Sequence, residues 1–287
     1  MVRSILVITN AHETDNCSLN KARELATPFG ANIEAVSFIK ANESAQVSPE
    51  QIKQKADALD QDISTIFGNE LPKQTIKSQV IVTDNIVDWV DDYCKSNAFD
   101  LIIKAGNRTE SLFHTPCDWE LIRRLQVPVL IASQQQWRQK PAILAAVDPA
   151  TTDDVQIAIN NEILNWTKLW GQTFDCDIHI VYCLPVSNIL KELDIIDVEE
   201  YAQTHRVEAE EKLNHLMSGH DLPNVTTHVT AGTPERAIPH CANQLKAELV
   251  VMGSTGKTGI KGMLFGNIAE KVMHNLRTNS LIIESVK

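Results

Sequence analysis

The stretch Gly253-Ser-Thr-Gly-Lys-Thr combines residue types that bind phosphate groups, namely glycines followed by a lysine and a threonine. A phosphate-binding P-loop has the spacing Gly-x4-Gly-Lys-Ser/Thr, so this stretch would need a glycine at position 251. Position 251 is valine, and no clear acidic partner for magnesium follows a neighbouring predicted strand. The segment therefore does not match a P-loop, and its glycines need another explanation.

A different spacing of glycines predicts an anion site. Gly253 and Gly256 follow a predicted strand, and Gly266 comes after nine further residues, directly before Asn267 and a predicted helix. Glycine lets main-chain N–H groups approach a phosphate closely, and a helix N-terminus presents free N–H donors with a partial positive charge. The two ends of this loop are therefore expected to face one anion.

The elements that position this loop belong to a pattern that occurs twice. Three apolar segments, SILVITN (4–10), FDLIIKAG (99–106) and VPVLIAS (127–133), recur in the same order as AILAAVD (142–148), AELVVMGS (247–254) and NSLIIES (279–285). Stripes of apolar residues at helical spacing lie between them, an alternation typical of a parallel α/β sheet. Each half therefore predicts a five-stranded parallel sheet with helices on both faces.

The predicted boundaries follow from this duplication. An N-terminal domain takes residues 1–133, the polar segment QQQWRQKP gives a linker over 134–141, and a C-terminal domain takes 142–287. The ten strands are predicted near residues 3–9, 32–38, 77–82, 100–105, 128–132, 142–147, 177–183, 225–230, 248–253 and 280–285.

Local signals also predict helix ends. Ser48-Pro-Glu-Gln is a capping box with proline at the first helical position, so a helix is expected to begin there. In the second half, one apolar stripe predicts a helix that ends before Gly171. A second stripe, from Val198 onwards, predicts a single helix that ends before Gly219.

The glycine spacing resembles the Gly-2x-Gly-9x-Gly-Ser/Thr signature of the universal stress protein family, with Asn267 in place of the serine or threonine. Asp148 stands at the end of the first strand of its half, where that family places an aspartate that recognises adenine, and GTPERAI (232–238) opens the helix before the fourth strand. The resemblance covers essentially the whole chain as a tandem duplication. It implies two Rossmann-like domains of the adenine nucleotide α-hydrolase-like type.

The resemblance implies three groups of nucleotide contacts and no catalytic residue. The adenine contacts are Ala146, Val147, Asp148 and Cys183. The residues lining ribose and phosphate are Met252, Gly253, Thr255 and Gly256, and those around the distal phosphates are Gly266, Asn267, Ile268 and Ala269. The implied cofactor is ATP or a related adenine nucleotide, which magnesium can accompany.

The first half lacks this loop. Asn10 replaces the aspartate, and the interval from Asp100 to Pro128 is four residues shorter than the interval from Glu248 to Ser280. The first half is therefore not expected to bind ATP in the manner of the family. Two hypotheses remain for it: a scaffold for dimerisation, or a binder of a different, less polar ligand beside Arg108, His114 or Arg123.

Composition narrows the class of partner. The net charge is −11 and no lysine or arginine block stands out, which argues against nucleic acid. The apolar runs are far shorter than a membrane span of about 20 residues, so we expect a cytoplasmic protein without membrane association. The six cysteines lack the spacing of metal ligands, so no metal site is predicted in the protein itself.

Three functions remain open at this stage. The first is a stress-response protein that binds an adenine nucleotide in its C-terminal domain and acts as a regulator or chaperone-like switch. The second is an enzyme such as a phosphohydrolase or nucleotidyl transferase, although the loop has only His274 nearby as an acid–base group. The third is a structural module that binds protein partners.

The resemblance also implies a mode of association. The last strands of the two halves, 128–132 and 280–284, are expected to pair within one chain as a pseudo-dimer, and a further homodimer would use other faces. The sequence leaves open the ligand of either half, hydrolysis of ATP, the protein partners, the relevant stress and the oligomeric state.

Overall fold

The computed structural model describes residues 2–9, 16–41, 47–68, 76–106, 117–134, 141–186, 197–254 and 267–284. The chain divides into two compact units, Met1–Gln134 and Gln135–Lys287. Most of the linker expected at 134–141 lies outside the described residues. Each unit contains five of the ten described strands.

The first unit alternates strands and helices. In chain order its elements are β1 (Ser4–Thr9), α1 (Cys17–Phe29), β2 (Asn32–Lys40), α2 (Pro49–Phe67), β3 (Ile76–Thr83), α3 (Ile86–Ser96), β4 (Leu101–Ala105), α4 (Cys117–Arg124) and β5 (Val129–Ala132). All the strand pairs are parallel, and the strand order is β3-β2-β1-β4-β5.

The second unit repeats this plan. Its elements are β6 (Ala142–Ala146), α5 (Asp154–Phe174), β7 (Asp177–Leu184), α6 (Val198–Thr204), α7 (Arg206–Met217), β8 (Val225–Ala231), α8 (Pro234–Leu245), β9 (Leu249–Gly253), α9 (Asn267–Asn275) and β10 (Asn279–Ile283). The order β10-β9-β6-β7-β8 is again wholly parallel. The predicted fold class is thus confirmed, while the pairing of 128–132 with 280–284 stays a prediction.

The central strands form the core because they are buried on both faces. β1 and β4 are almost continuous runs of aliphatic side chains with no exposed surface, and so are β6 and β9. Such runs are typical of parallel strands covered by helices on either side. These four strands form the buried centre of the two units. Polar or ligand-binding residues can therefore lie only at the ends of these strands.

The predicted capping box is present at the start of α2. The Ser48 hydroxyl accepts a hydrogen bond from the Gln51 N–H at 3.2 Å, and the Gln51 side chain accepts one from the Ser48 N–H at 2.8 Å. Two orphan donors at the helix start are thereby satisfied. The sequence predicted this helix start because all the interacting groups lie within four residues.

Two helix predictions were wrong, one in where the helix ends and one in its continuity, while the predicted end before Gly219 is confirmed. Helix α5 continues through Gly171 to Phe174, and a Cβ at Gly171 would lie 2.6 Å from Ile178 Cδ1, so glycine there serves close packing on β7. The single helix expected from Val198 is instead α6 and α7, separated at His205 with φ −96° and ψ 4°. That bridge-region conformation interrupts the α-helical geometry.

A histidine pair joins β7 and β8. Nδ1 of His179 lies 3.0 Å from Nε2 of His228, and both side chains are half-buried. Burial lowers the pKa of His179, which Asp177 partly offsets. Burial also lowers the pKa of His228, and the charge on His179 lowers it further. The folded protein therefore favours a pair that is not fully protonated.

This pair predicts a loss of stability in mild acid. Because both pKa values are lowered from 6.5, the unfolded chain binds more protons as pH falls, so stability present above pH 6.5 is lost below it. We expect the free energy of unfolding, measured with urea between pH 7.5 and 5, to fall less steeply in a His179→Gln/His228→Gln variant. His215→Gln, on the exposed side of α7, is the control. Equal slopes in all three proteins would contradict the prediction.

Candidate functional site

Three adjacent strands of the second unit end at one edge of its sheet. β6 lies between β9 and β7, and all three run in the same direction. Asp148 follows β6, Cys183 is the penultimate residue of β7, and Gly253 ends β9. The strand order reverses between β6 and β9, and open α/β sheets bind ligands in the crevice at such a switch point.

The Asp148 turn is held by local hydrogen bonds. Oδ1 of Asp148 accepts from the Ala150 N–H at 3.2 Å, and the main-chain carbonyl of Asp148 accepts from the Thr151 N–H at 3.4 Å. This is the side-chain turn geometry for which aspartate is favoured at such positions. Two residues after Thr151, Asp153 caps α5 by accepting from the N–H groups of Val155 and Gln156. Asp148 thus stands half-buried in a short, well-bonded turn between β6 and α5.

A second residue holds the same turn from inside the fold. Asn160 on α5 is 1% exposed; its Oδ1 accepts from the Asp148 N–H at 3.2 Å, and its Nδ2 donates to the Asp148 carbonyl at 2.8 Å. Gln156 also donates to Asn160 Oδ1, at 3.4 Å. Sequence reasoning missed Asn160 because an asparagine in the middle of a helix, twelve positions from Asp148, carries no local signal of this contact.

The other predicted adenine contacts are structurally constrained. The Val147 N–H donates to the Val181 carbonyl at 3.1 Å, which extends the pairing of β6 with β7 by one bond. Burial, with smaller contributions from Cys241, Asp148 and Glu235, raises the pKa of the Cys183 thiol to about 12. Since the thiolate is the reactive form of cysteine, Cys183 is an unreactive, protonated thiol at neutral pH.

Gly253 has a packing role that sequence analysis did not predict. A Cβ at this position would lie 2.5 Å from Ile159 Cγ2 on α5, so glycine allows the helix to lie directly on β9. The next residue, Ser254, donates its N–H to the Ile283 carbonyl at 3.0 Å and its hydroxyl to the Glu284 carboxylate. Ser254 therefore belongs to the hydrogen bonding between β9 and β10.

The remaining predicted residues fall into two groups. Met252 and Ala269 are buried, Ile268 is 39% exposed, and Asn267 is the first residue of α9. Thr255, Gly256 and Gly266 lie outside the described residues. The structure thus brings the Asp148 turn, Cys183 and Gly253 to one sheet edge, whereas the expected phosphate contacts stay predictions.

The first unit carries a buried ion pair at the corresponding place. Leu101 pairs with Ile5 of β1, as Leu249 pairs with the equivalent Ile143 of β6. Three residues further on, Lys104 therefore occupies the strand position of Met252. Lys104 and Asp118 are 2% and 5% exposed and form an ion pair, and Lys104 Nζ also donates to the Ala105 carbonyl at 3.2 Å. The first half has therefore replaced an apolar strand position with an internal charge pair.

Asp118 places the negative charge at a helix N-terminus. It lies in the first turn of α4, three residues before the buried Leu121, as Ala269 lies three residues before the buried Val272 in α9. A carboxylate in the first turn is stabilised by the partial positive charge of the helix end. The anion that this helix end would attract is thus supplied by the chain itself.

Comparison with known proteins identifies the class. Residues 143–284 match the model of the universal stress protein family. This match assigns residues 143–284, most of the second unit, to the universal stress protein family.

Relatives match far more of the chain than the family model does. The chain is 26% identical over 281 residues to a universal stress protein E homolog of Haemophilus influenzae, and the match covers 96% of this chain and 90% of that protein. It is 27% identical over 301 residues to universal stress protein E of Escherichia coli K12, covering 99% and 94%. A crystal structure from Pseudomonas aeruginosa UCBPP-PA14, named for the same family, has a TM-score of 0.72 at 21% identity, covering 99% of this chain and 94% of that one, which shows a shared fold.

Two other features are absent from the described residues. Within the described ranges, no group of three or more histidine, cysteine, aspartate or glutamate side chains could hold a metal ion. Across the part of the chain that the structure describes, no helix is long and apolar enough to cross a membrane.

The packing role of Gly253 predicts a specific effect on stability. Gly253→Ala should lower the free energy of unfolding by about 1 to 3 kcal/mol, because the new methyl group would overlap Ile159. Gly219→Ala is the matched control, since a Cβ there would meet nothing within 4 Å. Urea denaturation of both variants tests the difference. A Gly253→Ala protein as stable as Gly219→Ala would show that α5 does not constrain residue 253.

The ion pair of the first unit predicts a rescue. Asp118→Ala alone leaves Lys104 as a buried charge without its counter-ion, which typically costs about 3 to 5 kcal/mol. Adding Lys104→Met recreates the Met252 and Ala269 combination of the second unit, so the double variant should recover most of that loss. Denaturation of both single variants and the double variant measures this. If the losses in free energy of unfolding of the two single variants add in the double variant, the predicted rescue is wrong.

Proposed function

We propose that this chain is a stress-response protein that binds an adenine nucleotide, ATP in the first instance, in its second unit. It would act as a regulator or chaperone-like switch rather than as a dedicated enzyme. The observation that carries the proposal is the Asp148 carboxylate, held at the switch point of a universal stress protein domain beside the end of β9.

The chemistry of Asp148 suits adenine. An ionised carboxylate has acceptors only, and adenine presents an amino group as donor at its six position. Guanine presents an oxygen at that position, which a carboxylate would repel. Oδ1 of Asp148 is engaged by Ala150, which leaves Oδ2 as the oxygen that would receive the adenine amino group. The proposal therefore includes selectivity for ATP over GTP.

The phosphate chain would extend from the end of β9 to the start of α9. The phosphate contacts proposed there are Gly256, Gly266 and Asn267. The glycine spacing and a helix that begins at Asn267 both suit the binding of an anion. Magnesium would arrive with the nucleotide and be coordinated mainly by its phosphates and water. Ala269 is the residue where the first unit has Asp118, so α9 lacks a buried carboxylate at that position, although Glu270 lies in its first turn.

The groups at this sheet edge favour binding over catalysis. General acid–base catalysis needs a group that titrates near neutral pH. Burial raises the pKa of Cys183 to about 12 and that of the nearby Cys241 to about 11, so neither thiol is poised to react. One oxygen of the Asp148 carboxylate accepts from the Ala150 N–H and the other is assigned to adenine, so this group is not proposed as a catalytic base.

Calorimetric titration of ATP and GTP, with and without magnesium, tests the proposal. We expect one ATP per chain, weaker binding of GTP, and at least about a tenfold loss of ATP affinity in Asp148→Ala, the size of one lost charge-assisted hydrogen bond. Asp221→Ala removes an exposed carboxylate elsewhere in the same unit and serves as the control. It should bind ATP like the wild type.

Two results would overturn the proposal. A wild-type protein that is free of bound ligand and takes up no ATP would leave the protein-partner module as the better function. Turnover of ATP above about one per second would instead restore the enzyme hypothesis, because ordinary enzymes work in that range.

A further inference from the structure

We propose that Asn160 is a positioning residue for adenine recognition, because it fixes the orientation of Asp148 by bonding both of its main-chain polar groups. This inference rests on the proposed nucleotide site in the second unit. Asn160 itself would not touch the ligand, since it is buried beneath the turn at 1% exposure. Its effect would pass through the main chain of Asp148.

The main chain leaves the sheet at Asp148. The Val147 N–H still donates to the Val181 carbonyl, but Asp148 is the first residue beyond this pairing of β6 with β7. Its N–H is satisfied by Asn160 Oδ1 and its carbonyl by Asn160 Nδ2, with a further bond from the Thr151 N–H. At Asp148, just after β6 ends, Asn160 therefore makes the main-chain hydrogen bonds that a neighbouring strand makes within the sheet.

Asparagine is suited to this task by its chemistry. Its amide carries a donor and an acceptor on one planar group, so one side chain can satisfy both the N–H and the carbonyl of a single residue. Aspartate would lack the donor, and leucine, of similar size, would lack both. Because the contact is buried, an unmatched main-chain group there would carry the full penalty of desolvation.

The same helix turn also contacts the other side of the proposed site. Ile159, the residue before Asn160, packs against Gly253 at the end of β9. Two consecutive residues of α5 thus fix the Asp148 turn and the exit of β9. The distance between the adenine contact and the start of the phosphate loop would then be set by one rigid element.

Amide hydrogen exchange of the ligand-free protein tests the first step. Asn160→Leu should accelerate exchange of the Asp148 N–H, because that group loses its acceptor. Asn160→Asp covers the case in which the leucine variant does not fold: it replaces the donor to the Asp148 carbonyl with a carboxylate oxygen that repels this carbonyl, so it should also loosen the turn and accelerate the exchange. Thr167→Val is the control: it removes a buried hydroxyl from α5 that bonds to the Ile163 carbonyl, away from Asp148. It should leave this exchange unchanged.

Nucleotide binding tests the second step. Asn160→Leu should weaken ATP binding about tenfold and bring it towards the affinity for GTP, which should change little. In an Asp148→Ala background the same substitution should have almost no further effect, because the group that it positions is gone. Equal losses for ATP and GTP, or fully additive losses with Asp148→Ala, would show a general structural role and overturn the proposal.

The two measurements separate this inference from the function on which it rests. If the wild type binds no ATP, the proposed function fails, and exchange at Asp148 still decides whether Asn160 holds the turn. Unchanged exchange in both Asn160 variants would overturn the positioning role, whatever the protein binds.

Discussion

The packing of α5 on β6 and β9 is the contact on which both sides of the proposed site depend. Ile159 can approach β9 because Gly253 has no side chain, and this approach places the next residue, Asn160, on the main chain of Asp148. A displacement of the helix would therefore disturb the two strand ends together. The close packing of Ile159 on Gly253 thus helps to fix the distance between the Asp148 turn and the end of β9.

The two units share one arrangement of strands and helices but differ at one strand position and one helix position. In the first, Lys104 and Asp118 form a buried ion pair, and the carboxylate lies in the first turn of α4. In the second, Met252 and Ala269 are the corresponding apolar residues, so α9 begins without an internal counter-ion at that position. A helix end attracts negative charge in either case. The first unit has a buried carboxylate there, whereas α9 has the apolar Ala269 at that position and the half-buried Glu270 next to it in its first turn.

The sequence predicted features whose causes are local or periodic. The parallel strands were predictable because burial on both faces requires continuous apolar runs such as 101–103, and the capping box at Ser48 was predictable because its groups are close in sequence. The passage of α5 through Gly171 depends on Ile178 across the fold, and the contact of Asn160 with Asp148 spans twelve positions. Such tertiary contacts have no signature in a single sequence, so the contacts that α5 makes with Asp148 and Gly253 were missed.

The rigidity of the Asp148 turn limits what adenine can contribute to a switch. A ligand shifts a conformational equilibrium only through its different affinities for the two states. The Asp148 main chain is bonded to a buried residue of α5, so an adenine contact there would have the same geometry in both states. It would then supply affinity and selectivity for the base. Discrimination between ATP and its hydrolysis products would fall to the phosphate side, where α9 begins at Asn267.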